Sequence, residues 1–112
     1  MKYVLLIYDD PNEWSKVPQE DYPKLYEEYG AIAQLPNTTG GAQLQPVATA
    51  RSVRVENGKP VVTDGPFAET KEVLGGFYVL EAGSQAEAEE IAARIPSARM
   101  GGTVEVRPVV ER

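Results

Sequence analysis

The run Lys2-Tyr3-Val4-Leu5-Leu6-Ile7-Tyr8 is β-branched, aromatic or aliphatic almost throughout, and it constrains the fold more than any other stretch of the chain. An apolar run of this length without polar alternation is the pattern of a central strand buried on both faces. Asp9-Asp10-Pro11-Asn12 then breaks it, since Pro has no amide donor and Asp and Asn favour turns. A loop carrying Trp14 is expected to follow. A sheet nucleated on such a strand needs further strands and a cover, and the rest of the sequence supplies both.

Between Asp21 and Leu35, Leu25, Tyr29, Ile32 and Ala33 recur at helical spacing, with Asp21 placed as an N-cap before Pro23. This predicts helix one, ending near Pro36, and Asn37-Thr38-Thr39-Gly40-Gly41 has the composition of a loop. Val47 to Val55 alternates, and Asn57-Gly58 before Pro60-Val61-Val62-Thr63 is a hairpin signal. Gly76 to Ala82 reads as a buried strand. Ser84 with Glu87 three residues on forms a capping box that opens helix two, Gln85 to Ile95, which Pro96 ends. Thr103 to Val109 alternates as a last strand, with Pro108 suggesting an edge. The order predicts an α+β fold of the ferredoxin-like βαββαβ kind with an extra β-hairpin, as one domain over residues 1–112. Two helices cover only one face of such a sheet, so pairing of two copies about a two-fold axis is expected to cover the other.

Composition narrows the chemistry. With 112 residues, 42% hydrophobic and 25% charged, the chain can bury one ordinary core. The net charge is −6 and the 11 basic residues are scattered, so nucleic acid is not an expected partner. The longest apolar stretch is too short for a bilayer, and no processing pattern precedes it, so no membrane partner and a cytoplasmic location are expected. There is no cysteine and no histidine. Disulfides, thiolate zinc sites and the commonest neutral-pH base are thereby excluded, and no metal or other cofactor is expected. Catalysis must then come from carboxylates, Lys, Arg, Tyr or Ser/Thr.

The most unusual stretch is Thr63-Asp64-Gly65-Pro66-Phe67-Ala68-Glu69-Thr70-Lys71-Glu72, followed by Val73-Leu74-Gly75-Gly76-Phe77-Tyr78. Asp64-Gly65-Pro66 is a turn former by composition, and Asp64 is placed to bond its own downstream backbone. Phe67 reads as a core plug or as a stacking platform. Glu69, Lys71 and Glu72 read as a solvated turn or as a site, and their clustering beside a rigid turn and a Gly pair points to the site. A carboxylate such as Asp64 or Glu69 near Phe67 suits general acid–base work. Lys71, Arg51 or Arg54 suits an anionic oxygen, and Tyr8 and Tyr78 suit a carbonyl or enolate, although strand tyrosines more often pack. Asp9 and Asp10 suit a metal by type, but Asp-Asp-Pro after a strand is more often turn chemistry.

Around the Asp64-Gly65-Pro66-Phe67 tetrapeptide the sequence resembles the YCII-related family, in its DGPF branch. The opening strand, Leu44-Gln45-Pro46, the hairpin, the long segment through Tyr78 and Val104-Glu105-Val106-Arg107-Pro108 all match in order. The resemblance implies a dimeric α+β barrel and leaves the reaction open. The family pattern often places a His after Arg before the last strand, whereas this chain reads Arg99-Met100-Gly101-Gly102, so a His-dependent mechanism does not transfer. Two readings follow: an acid–base lyase or isomerase acting on a small anionic or enolisable molecule, with Asp64, Glu69 and Lys71 as catalytic candidates, and a non-enzymatic ligand-binding or regulatory dimer.

Overall fold

In the computed structural model, which describes residues 1–65 and 71–112, the first run forms β1 (Lys2–Asp9). Next come α1 (Pro11–Ser15), α2 (Tyr22–Ala33) and β2 (Thr38–Gln43). Then follow β3 (Arg51–Glu56), β4 (Lys59–Asp64), β5 (Val73–Glu81), α3 (Gln85–Ala93) and β6 (Thr103–Pro108). Single 3₁₀ turns at Gln19–Asp21, Val47–Thr49 and Pro96–Arg99 join them. β2, β5, β1 and β6 make one antiparallel sheet in that order, while β3 and β4 pair as a separate ribbon. The result is a mixed α+β fold of the ferredoxin-like kind.

The helices lie on one face of the four-stranded sheet. Tyr3, Leu5 and Ile7 of β1 and Leu80 of β5 are buried there, packed with Ile32 of α2 and Ile91 of α3. Val4 and Leu6 point the other way and stay half-buried. β1 is therefore central but covered by helices on one side only, which corrects the expectation of burial on both faces. The apolar character of Val4 and Leu6 belongs to a face that no helix among the described residues covers.

Three local expectations also change. Trp14 sits in a short helix, not a loop: Asp10 caps it, accepting a hydrogen bond from the Asn12 amide (3.0 Å), and Pro11 takes the first turn, where a missing donor costs nothing. Asp21 makes no side-chain cap, because the Gln19–Asp21 turn runs straight into α2 and its backbone is already helical. Thr38 to Gln43 is a strand although its composition reads as a loop. β2 is an exposed edge, so its side chains carry no burial pattern, and what makes it a strand is backbone pairing with β5.

Other features follow the sequence closely. Asn57 and Gly58 take positive φ (51° and 78°) at the tight β3–β4 turn. Ser84 Oγ accepts from the Glu87 amide, and the Glu87 carboxylate accepts from the Gly83 amide, closing the box one residue earlier than the ideal form. Pro108 lies on β6, an edge strand.

Candidate functional site

Asp9 ends β1 on the same side as Ile7, facing the helices, because side chains alternate along the strand. Its Oδ1 accepts two hydrogen bonds, one from the Ser97 hydroxyl at a very short separation and one from Trp14 Nε1 at 3.2 Å. Ser97 is fully buried in the turn after α3. Its Oγ also lies 2.6 Å from the Tyr29 hydroxyl. A carboxylate has no proton to give, so Ser97 donates to Asp9, and Tyr29 must donate to Ser97. The three side chains form a relay that ends on the carboxylate. Burial pushes the Tyr29 phenol up to about 12, with the Asp9 charge acting in the same sense and the Ser97 bond against it. Tyr29 is thus a fixed neutral donor near neutral pH.

The second carboxylate oxygen, Oδ2, accepts no hydrogen bond among the described residues. It lies over Gly75 of β5, so close that a Cβ at that position would overlap it. Gly75 is therefore a requirement of the carboxylate's position. Gly102 does similar work behind the site, where a Cβ would strike the Tyr8 and Ser97 carbonyls and push the 3₁₀ turn away from β1.

Asp9 and Gly75 lie on the wall of a cleft of about 710 Å³ between α1, α2 and the β2–β5 edge. Aromatic side chains dominate it. Tyr22, Tyr26 and Tyr29 follow one another at i, i+4 and i+7 along α2, a stripe beside the core-facing Leu25 and Ile32. Trp14 stands 6.3 Å from Tyr22 (tilted 58°) and 6.3 Å from Tyr29 (27°), and Tyr22 stands 6.1 Å from Tyr26 (57°), measured between ring centroids. Tyr78 closes the floor, its hydroxyl donating to the Tyr29 carbonyl (2.8 Å), and burial raises its pKa. No Lys or Arg lines the cleft among the described residues.

Of the described residues singled out in the sequence, Tyr78 and Asp9 line this cleft, and Tyr8, Asp10, Arg51, Arg54, Asp64 and Lys71 do not. Asp64 ends β4 opposite Arg51 in the ribbon register, and the two form an exposed ion pair (3.0 Å). The Gly65 turn is held instead by the Gly65 amide donating to the Ala50 carbonyl (2.7 Å) and by Ser52 Oγ donating to the Gly65 carbonyl (2.7 Å). Arg54 lies on β3, exposed. Tyr8 is half-buried on the helix-free side of β1. Lys71 Nζ stands 4.0 Å from the buried Asp10 Oδ2, next in sequence to Asp9. Glu69 and Phe67 lie outside the described residues. No group of three or more acidic side chains is arranged as a metal site among the described residues. Nor is any helix long and apolar enough to cross a membrane.

Sequence reasoning passed over Trp14, Tyr29 and Ser97 as site residues, and weighed Asp9 only as a metal ligand or as turn chemistry. The signal available was the Tyr22/Tyr26/Tyr29 spacing, an aromatic stripe adjoining the core stripe of the same helix. Nothing local marks Ser97, which meets Asp9 across 88 residues of chain.

The fold and the cleft together define a small α+β protein with an acidic, aromatic-walled cleft. The YCII-related domain matches residues 1–112, and the chain belongs to that family. It is also similar to an uncharacterised protein of Rhizobium meliloti (strain 1021), 34% identical over 114 residues that cover 97% of this chain and 92% of the relative.

Proposed function

We propose that this chain binds a small enolisable molecule in the aromatic cleft and performs acid–base chemistry on it, as a lyase or isomerase, with Asp9 as the proton-transferring group. The observation that carries this reading is the carboxylate fixed through one oxygen by Ser97 and Trp14, with its other oxygen at the cleft wall accepting no hydrogen bond among the described residues. A general base needs that arrangement: a held orientation and a free lone pair within reach of a substrate proton. Tyr29 and Tyr78 have committed their hydroxyl protons to Ser97 and to a carbonyl, so Asp9 works as a single base. Single-base chemistry suits a proton taken from carbon beside a carbonyl and returned at a neighbouring position, or lost with a leaving group. Of the two substrate kinds that the sequence leaves open, the enolisable one is favoured, because the cleft presents a carboxylate and, among its described residues, no cation.

The working unit in this reading is a homodimer. The helix-free sheet face carries Val4, Leu6, Phe77 and Val79, and the ribbon leaves Val53 and Val55 exposed. A second copy placed on that face would bury them and close a barrel. Lys71, from the segment that leads into β5, stands beside Asp10, next in sequence to Asp9, and Asp64 serves the ribbon.

A thermal-shift screen of small carbonyl compounds finds ligands, since binding only the native state raises its stability. A hit is then incubated in heavy water with the wild type and with Asp9→Asn, and proton exchange at its α-carbon is followed by NMR. Catalysed exchange lost in Asp9→Asn supports the enzyme. Equal binding by both proteins with no exchange in either leaves the non-enzymatic binder standing. Hits that leave Trp14 fluorescence unmoved would place the ligand outside the cleft and overturn the reading.

A further inference from the structure

Ligand charge is the property of the cleft that its walls specify most sharply. Resting on the reading that the cleft is the ligand site, we propose that its ligand carries a positive charge, as a quaternary or protonated amine.

Three observations converge on this. First, the lining is aromatic on the α1–α2 side, where the Trp14–Tyr22 and Tyr22–Tyr26 pairs are tilted at 58° and 57° and Trp14 stacks with Tyr29 at 27°. Tyr26 is 58% exposed, so its face is available to an incoming group. The negative ring face attracts a cation lying within about 6 Å of its centroid, and these rings stand 6.1 to 6.3 Å apart along one wall. Second, the charged side chain lining the cleft among its described residues is Asp9, whose Oδ2 accepts no hydrogen bond among them. Third, among the described residues no lining Lys or Arg repels a cation or neutralises that carboxylate, and the chain as a whole carries −6. A neutral apolar ligand would gain from the rings but nothing from Asp9. An anion would meet Asp9 with no counter-charge on the walls. A cation gains from both. The enolisable carbon of such a ligand is also made more acidic by the nearby positive charge, which suits a carboxylate base.

Trp14 is the single tryptophan, so its emission reports this wall alone. The test titrates the full-length protein with choline and, separately, with 3,3-dimethylbutan-1-ol, the same shape with neutral carbon in place of the ammonium nitrogen, at matched ionic strength. Choline is expected to shift Trp14 emission at roughly tenfold lower concentration than the alcohol, the ratio a partly desolvated cation–π contact gives. In Asp9→Asn, and in Tyr26→Leu at the exposed rim, that preference should shrink several-fold while the response to the alcohol is kept, since Leu preserves apolar area. Equal responses to the two probes in the wild type would overturn the cationic assignment and leave the cleft as a ligand site. No response to either probe, together with Trp14 shifts from neutral carbonyl hits, would overturn it as well. If those hits also leave Trp14 unmoved, the cleft reading itself fails.

Discussion

Replacing Ser97 by Ala removes the middle of the Tyr29–Ser97–Asp9 relay without adding volume. Ser97 is fully buried, so neither lost bond is replaced by bulk water. The bond to the charged Asp9 contributes about 1.5 to 3 kcal/mol and the neutral one from Tyr29 about 1 kcal/mol, so Ser97→Ala should cost roughly 2.5 to 4 kcal/mol. Tyr29→Phe removes only the outer link and should cost about 1 kcal/mol. Once Ser97 is gone Tyr29 has no hydroxyl to donate to, so the double variant should cost about as much as Ser97→Ala alone. The expected coupling is therefore about 1 kcal/mol. Urea melts followed by Trp14 emission and by far-UV circular dichroism measure all four corners. A domain of this size holds roughly 5 to 15 kcal/mol, so each variant should remain folded. If the two single costs add without coupling, or if Ser97→Ala costs under about 0.5 kcal/mol, the relay does not hold Asp9.

Gly75→Ala should force the Asp9 carboxylate off its seat, costing about 1 to 3 kcal/mol by overpacking and abolishing the Trp14 response to ligand; unchanged binding would show that Oδ2 is not where ligand meets the wall. At alkaline pH the Tyr29 phenol keeps its proton in the folded chain until about 12 but loses it near 10.0 when unfolded, so the stability it contributes is fully present below pH 10.0 and lost as pH rises through 12. Urea midpoints across that window should fall less steeply in Tyr29→Phe than in the wild type, with Tyr78 contributing in the same direction in both. Asp64→Asn breaks only an exposed ion pair with Arg51 and should change stability by less than about 0.5 kcal/mol in a denaturant melt. Sedimentation at micromolar concentration should give a dimer, and a clean monomer would refute the pairing of sheet faces.

Much of the scaffold was legible because it is written in local chemistry. The β1 run, the Asn57-Gly58 turn, the Ser84–Glu87 box and the edge proline at Pro108 each depend on residues a few positions apart, and each appears where the sequence puts it. The full-length resemblance also held, since the family match covers residues 1–112. β2 was not legible, because an exposed edge strand needs only a partner's backbone and leaves no side-chain pattern.

The candidate site was legible in its parts and not in its assembly. Sequence alone determined which groups are available: carboxylates, tyrosines and one tryptophan, with no His or Cys. It also marked the Asp64–Glu72 segment as unusual, and the described part of it lies outside the cleft, with Lys71 beside Asp10. What only the tertiary structure decided is which carboxylate is held through one oxygen at the cleft wall, with no partner on the other among the described residues. Asp9 reads as turn chemistry beside Pro11, and it becomes a candidate base only because Ser97, from the far end of the chain, and Tyr29, from α2, meet it where β1 ends. Hydrogen bonds between residues 68 and 88 positions apart leave no trace in local spacing, because chain folding, and not the neighbouring residues, brings their donors and acceptors together.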